Sequence, residues 1–236
     1  FAPHRHDTYA VALTLQGVQS FDYRGSERHS PPGGVVVIHP DERHDGRPGT
    51  RDGFRYRGIH IEAGRIQRML GGRELPFIVG GTSTDPCLIR AVRVLLADYQ
   101  RPLGELEFDD ALYDLSTALS ALSTPRRQLK PLDYCSAELA REFLVAHWDK
   151  DVTLACLEQV SGRDRWKLSR DFRALFGTSP YRYLLMRRLE QARGMLASGL
   201  APADIAVTCR FADQSHFIRH FRNAFGMTPG KWAGPA

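Results

Sequence analysis

Two sets of residues in this chain have types and spacings that can do chemistry. One is a trio of histidines near the start, His4, His6 and His44; the other is a doubled pattern of arginine and phenylalanine near the end. The doubled pattern stands as DRWKLSRDFRALFGTSP (164–180) and DQSHFIRHFRNAFGMTP (213–229). Arg170, Phe172, Arg173, Phe176 and Gly177 of the first answer to Arg219, Phe221, Arg222, Phe225 and Gly226 of the second. A guanidinium is a permanently charged planar fork of donors, suited to phosphate oxygens and to the acceptor edge of guanine. Imidazoles spaced as His4-x-His6, with a third further on, suit a metal ion or a polar small molecule.

For its arginines to share a face, each copy of the pattern must be a helix. Asp164 and Asp213 are good N-caps, Gly177 and Gly226 suit a left-handed stop, and Pro180 and Pro229 follow where a new helix begins. Leu168, Phe172 and Phe176 fall on one face, as do Phe217, Phe221 and Phe225. A short apolar helix precedes each copy, VTLACLEQV before the first and PADIAVTC before the second. Short helix, tight turn and second helix make a helix-turn-helix unit, and two are expected, over 153–176 and 202–225. Helices are predicted near 134–147, 153–160, 164–176, 180–198, 202–209 and 213–225, with a short one from Pro229. In such units the start of the second helix enters the major groove. Counting from Leu168, the groove-facing residues are Arg165, Trp166, Ser169 and Arg170; counting from Phe217, they are Gln214, Ser215, Ile218 and Arg219. Lys167, Arg173, Arg222 and Lys231 are expected to hold phosphates, which gives affinity and salt dependence without sequence choice. His216 is read as a capping or phosphate-side residue.

The stretch YRYLLMRRLEQARGMLASG (181–199) reads as the helix that joins the two units. About 18 residues span ~27 Å, so the two second helices can stand roughly one DNA turn, ~34 Å, apart. With that spacer, residues 133–236 resemble the AraC/XylS-type DNA-binding domain of bacterial transcription regulators. The family signature GFSDQSHFSR-F----G-TP stands here as RFADQSHFIRHFRNAFGMTP. Arg210 departs from it, because the family has Gly in that turn, where a positive φ would cost Arg ~1 kcal/mol. Glu158 departs too, standing where a small Ala is usual; either change could loosen its unit, and neither alters the expected fold.

Residues 1–84 read as β, with short runs rich in Val, Ile, Tyr and Phe at 8–15, 19–25, 33–39 and 53–61, set off by turn segments. His4-x-His6, the Pro32-Gly33 turn and HPDERHDG (39–46) resemble the cupin-like sensor domain of the same family. That resemblance implies a β-barrel holding a small organic effector, and it places the family's first strand upstream of Phe1. Along 53–61, Phe54, Tyr56, Gly58 and His60 alternate against Arg55, Arg57, Ile59 and Ile61, and the first set suits a pocket wall. His4, His6, His44 and Tyr56 are the expected effector contacts. Metal-binding cupins add a carboxylate a few residues after H-x-H. No Glu follows His6 by four to six residues, so no metal and no cofactor are expected; His4, His6 and His44 are the candidates should one be held.

From Asp85 the period turns helical: Leu88, Val92, Leu95, Leu96 and Tyr99, then Phe108, Leu112, Leu115, Leu119 and Leu122. This predicts an antiparallel helical pair over 85–123, broken around Pro102–Gly104, as an outer layer or a dimer surface. Two prolines and several basic residues make 124–132 a linker. Residues 1–124 carry 14 Lys/Arg and 16 Asp/Glu, whereas 125–236 carry 18 and 11. The C-terminal half is therefore the one to meet a polyanion. The four cysteines form no C-x-x-C pair and no apolar run approaches membrane length, so a cytoplasmic protein with reduced thiols is expected. The expected architecture is α+β and multidomain: a cupin-like barrel (1–84) with its helical pair, then an all-α double helix-turn-helix domain (133–236). The expected function is effector-controlled, sequence-specific transcription regulation, not catalysis. Double-stranded DNA, an effector, a second copy of the chain and, for an activator, RNA polymerase are the expected partners. The alternative is a metal-dependent cupin enzyme fused to a DNA-binding tail.

Overall fold

The structure, a computed structural model, describes residues 2–96, 103–124 and 131–234. The chain divides into two units. One is Asp7–Leu132 with Leu175–Gly177; the other is Ala2–His6, Asp133–Ala174 and Thr178–Ala236.

Among the described residues the first unit has seven strands: β1 (Thr8–Gly17), β2 (Gln19–Tyr23), β3 (Ser26–Ser30), β4 (Val35–Ile38), β5 (Arg47–Pro48), β6 (Phe54–Glu62) and β7 (Thr82–Ser83). They form a four-stranded sheet in the order β6-β1-β4-β7 and a three-stranded sheet in the order β3-β2-β5. Both sheets are antiparallel. Alternation along β1 gives each face its task. Tyr9, Val11 and Leu13 join Val35, Val37 and Ile61 in a core covered by three helices, α1 (Ala63–Leu70), α2 (Pro86–Leu95) and α3 (Glu105–Leu122). Ala10 and Ala12 point the other way and join Val36 and Ile38 in a second cluster with Phe21 and Tyr23 of the small sheet. The apolar stripe of the helical pair, Leu88 and Val92 with Leu112, Leu115 and Leu119, is thus spent on the sheet. Residues 97–102, which include Tyr99 and Pro102 of the expected helical pair and its break, and 125–130 of the expected linker lie outside the described residues, whereas Gly104 stands just before α3.

His39 fastens the end of β4. The N–H of Ile78 donates to its Nε2 at 2.9 Å, and Tyr23 Oη lies 2.6 Å from its Nδ1. Since Nε2 accepts, the proton of the neutral ring sits on Nδ1. Phe77 stacks on the ring with centroids 4.3 Å apart, and the imidazole is buried.

The reading of 1–84 as wholly β needs correction, because α1 occupies 63–70 and a single 3-10 turn spans Val79–Gly81. Glu62, the residue before α1, makes no side-chain cap, so no start signal marked that helix.

The second unit is helical: α4 (Tyr134–Ala146), α5 (Leu154–Ser161), α6 (Arg165–Phe176), α7 (Pro180–Ala197), α8 (Pro202–Thr208), α9 (Gln214–Phe225) and α10 (Pro229–Ala233). Each lies within about one residue of its expected place, because caps fix the ends. Ser136 N–H donates to Asp133 Oδ1 at 3.0 Å to start α4, and Cys156 N–H to Thr153 Oγ1 at 3.3 Å to start α5. Gly177 and Gly226 take φ values of 75° and 71°. Met186, Leu189, Ala192 and Leu196 of α7 pack with Ile205, Ala206, Phe217 and Phe221 of α8 and α9. Phe172 of α6 meets Tyr183 of α7 edge-on, with centroids 5.6 Å apart.

Candidate nucleic-acid interface and small-molecule pocket

The starts of α6 and α9 are built alike. Asp164 Oδ1 accepts from the N–H groups of Trp166 at 3.1 Å and Lys167 at 3.3 Å, and Asp213 Oδ1 accepts from His216 N–H at 2.6 Å. With the caps fixed and Leu168 and Phe217 buried, the polar faces that follow turn outward. Arg165, Trp166 and Lys167 are exposed on α6; Gln214, Ser215, Arg219 and Arg222 are exposed on α9, and Lys231 on α10. Trp166 leaves 75% of its surface in solvent, and Arg165 Cζ lies 5.6 Å from its ring centroid. An indole so placed presents an apolar plane where burial against its own domain would ordinarily hide it.

Three of the expected readers are placed differently. Arg170 donates from Nε to Asp171 Oδ1 at 2.7 Å, and Asp171 is buried and also paired with Arg163 at 2.9 Å. That carboxylate holds the Arg170 head against the helix. Ser169 carries the Arg173 guanidinium, which donates to its carbonyl at 3.0 Å and to its hydroxyl. Ile218, expected on the groove side, is half-buried against the apolar cluster of α7–α9, because the apolar stripe of α9 is wider than the phenylalanines alone.

Both departures from the family pattern find partners. Glu158 Oε1 accepts from Arg165 N–H at 2.9 Å, so it caps the start of α6. Arg210 has φ 59°, the left-handed region, where Gly162 of the first turn has φ 62°. Its Nε donates to Asp149 O at 2.9 Å. Arg188 of α7, which sequence reasoning did not single out, donates to the carbonyls of Trp148 at 2.9 Å, Lys150 at 2.8 Å and Arg210 at 3.3 Å. Arg188 and Arg210 together tie the loop before the first helix-turn-helix to the turn of the second. Its partners are backbone carbonyls far away in sequence, which carry no residue-type signal.

On α9, Ala212 N–H donates to His216 Nδ1 at 3.3 Å, and His216 Nε2 lies 2.9 Å from His220 Nε2. His216 is then protonated on Nε2 and His220 accepts from it. Burial, then the charges of His216, Arg219 and Arg182, holds the His220 imidazole below its ordinary range.

Of the residues expected at an effector site, His4 and His6 lie in the short N-terminal segment of the helical unit, with ring centroids 6.0 Å apart. His44 and Tyr56 lie in the sheet unit. His44 bridges to Tyr23, and its Nδ1 is 3.1 Å from Glu42 O. Tyr56 pairs with Thr14, shares the face of Ala12 that turns toward the small sheet, and is 40% exposed. Thr14 Oγ1 donates to Ser30 Oγ at 2.9 Å, and Ser30 stands opposite Gln19. Gln19 and Tyr23 are separated along β2 by about 13 Å, so the register sets Tyr56 and His44 toward opposite ends of the small sheet.

Two family models match this chain: AraC-like ligand binding domain over residues 1–116 and Helix-turn-helix domain over 157–234. The HTH-type transcriptional activator RhaS of Escherichia fergusonii is 40% identical over 243 residues, covering 97% of this chain and 86% of RhaS. The HTH-type transcriptional regulator YbfI of Bacillus subtilis is 26% identical over 235 residues, covering 92% of this chain and 81% of YbfI. Among solved structures, ToxT of Vibrio cholerae superposes with a TM-score of 0.67 at 11% identity, covering 99% of this chain and 92% of ToxT.

Proposed function

The chain belongs to the AraC/XylS-type transcription regulators, with a ligand-binding domain and a helix-turn-helix DNA-binding domain, and from that premise we propose how it works. The starts of α6 and α9 enter two successive major grooves on one side of a duplex, carried by α7 between them. Trp166 and Arg165 read one half-site; Gln214, Ser215 and Arg219 read the other. Lys167, Arg173, Arg222 and Lys231 hold phosphates. Arg170 and Ser169 support this surface and read bases only if DNA draws them from Asp171 and Arg173. The observation that carries the reading is the matched exposure of Trp166 and Gln214, each just inside an aspartate-capped helix start.

A small organic effector is held between the two sheets, with Tyr56 in the pocket wall, and its binding shifts which arrangement on DNA is favoured. The protein is not an enzyme; it acts in the cytoplasm, and RNA polymerase is a partner if it activates. Among the described residues no helix is long and apolar enough to cross a membrane. It forms a homodimer through the apolar side chains α2 and α3 leave in solvent, Val94, Leu106 and Tyr113.

Selection of duplexes from a random pool by the whole protein tests the two-groove reading, with Trp166→Ala and Gln214→Ala in parallel. The expected result is two short motifs one helical turn apart, each blurred by one substitution. Salt-sensitive but unselective retention would mean that the basic half only holds phosphates.

A further inference from the structure

On the inner face of the small sheet, two buried polar atoms have no hydrogen-bond partner among the described residues. Phe21 of β2, which is buried in the cluster between the sheets, stands opposite Arg28 of β3, and Gln19 stands opposite Ser30. Side chains directly opposite in an antiparallel pair share a face, so Arg28 and Gln19 flank Phe21 on the side that turns toward β1 and β4. Arg28 Nε and Gln19 Oε1 are both buried, and neither has a hydrogen-bond partner among the described residues. The Arg28 guanidinium lies along Gly80, where a Cβ would stand 3.5 Å from its Cζ. Facing the small sheet, β1 and β6 carry the small residues Ala10, Ala12 and Gly58. Leaving a buried guanidinium N–H and a buried amide oxygen without partners costs about 1–3 kcal/mol each. A ligand that supplied the missing partners would recover that cost.

We propose that Arg28 and Gln19 form the polar end of the effector pocket, and that the effector is a small hydroxylated carboxylate. This inference rests on the effector reading above and adds the ligand's chemistry. The Arg28 fork matches a carboxylate bidentately. Gln19 Oε1 can only accept, so the ligand must donate to it, and a hydroxyl on the same small molecule does so. Gln19 and Arg28 are diagonal neighbours about 7–8 Å apart on the sheet, which asks for carboxylate and hydroxyl on one short skeleton. Phe21 between them packs against that skeleton.

The test is calorimetric titration of the whole protein with glycolate, 3-hydroxybutyrate and 4-hydroxybutyrate, and with the neutral polyols glycerol and ribitol beside them. Each hydroxy acid is compared with its deoxy acid and its amide. At least one hydroxy acid is expected to bind, its amide to bind at least about tenfold more weakly, and its deoxy acid to lie between. Arg28→Gln is expected to weaken the acid about tenfold or more and its neutral amide by a clearly smaller factor; Arg28→Lys, which keeps the charge without the fork, should lose less of the acid's affinity than Arg28→Gln. Gln19→Leu is expected to erase the preference for hydroxy over deoxy acid. Amides binding as tightly as acids, or Arg28→Gln binding the acid unchanged, would overturn the proposal. Binding of neutral polyols with no binding of any acid would overturn it too, while leaving the effector reading intact. If no compound of either class binds or alters duplex affinity, both readings fall.

Discussion

At the scale of single residues, Arg210 sets the terms for the second turn. It holds φ 59° in a position where glycine costs least, yet its side chain bonds Asp149 O. The strain costs ~1 kcal/mol and the bond returns about as much. Arg210→Ala keeps the strain and loses the bond, so it should destabilise the helical unit by about 1 kcal/mol. Arg210→Gly loses both and should melt close to the parent. Thermal unfolding of the two variants checks the order; alanine equal to glycine would show that the backbone carries no strain. His220 gives the pH dependence. Its imidazole is held below the ordinary 6.5 of a free histidine, so as the pH falls the unfolded chain takes up a proton before the folded one. Stability from this residue is complete above about pH 6.5 and declines below it as the folded pKa is approached. Protonation would also set two N–H groups against each other at His216 and His220. Chemical denaturation between pH 5.5 and 7.5 should show this slope, and His220→Gln should flatten it.

At the scale of elements, legibility followed the local signals. Asp164, Asp213 and the αL glycines announced α6 and α9, and the structure ends those helices accordingly. β1 and β6 were legible because large β-branched and aromatic residues alternate with others along them, and β4 because it is an unbroken β-branched run. β3 was not. Its sequence SERHS is polar throughout, since its outward residues meet solvent and its inward ones are Arg28 and Ser30; the strand exists because β2 supplies its backbone partners. Arg28 and Gln19 escaped notice for that reason, since only the register shows which face they share. Tyr56 was legible through alternation, whereas its separation from His44 was not. Glu158 shows the same limit at a helix start: read as a misfit, it proves to be a cap of α6. Glu158→Ala should therefore cost about 0.5–2 kcal/mol in the stability of the helical unit. An unchanged or raised melting temperature would show that Arg165 N–H finds another acceptor.

For the whole molecule, the asymmetry of charge separates affinity from choice. Residues 125–236 hold an excess of seven positive charges, and the first half is slightly acidic, so the salt dependence of duplex binding should arise in the helical unit alone. Each phosphate held contributes a slope near 0.9 in the logarithm of affinity against the logarithm of salt. Lys167→Ala with Lys231→Ala should therefore lower the slope by about 2 and weaken cognate and random duplexes alike. Gln214→Ala should leave the slope in place and cost about 1–3 kcal/mol on the cognate duplex only. Titrating both variants against both duplexes at several salt concentrations separates the two kinds of contact. If Gln214→Ala lowers the slope and spares selectivity, α9 lies along the backbone and not in the groove. The second half-site would then have to be read by Arg219 or through the shape of the duplex.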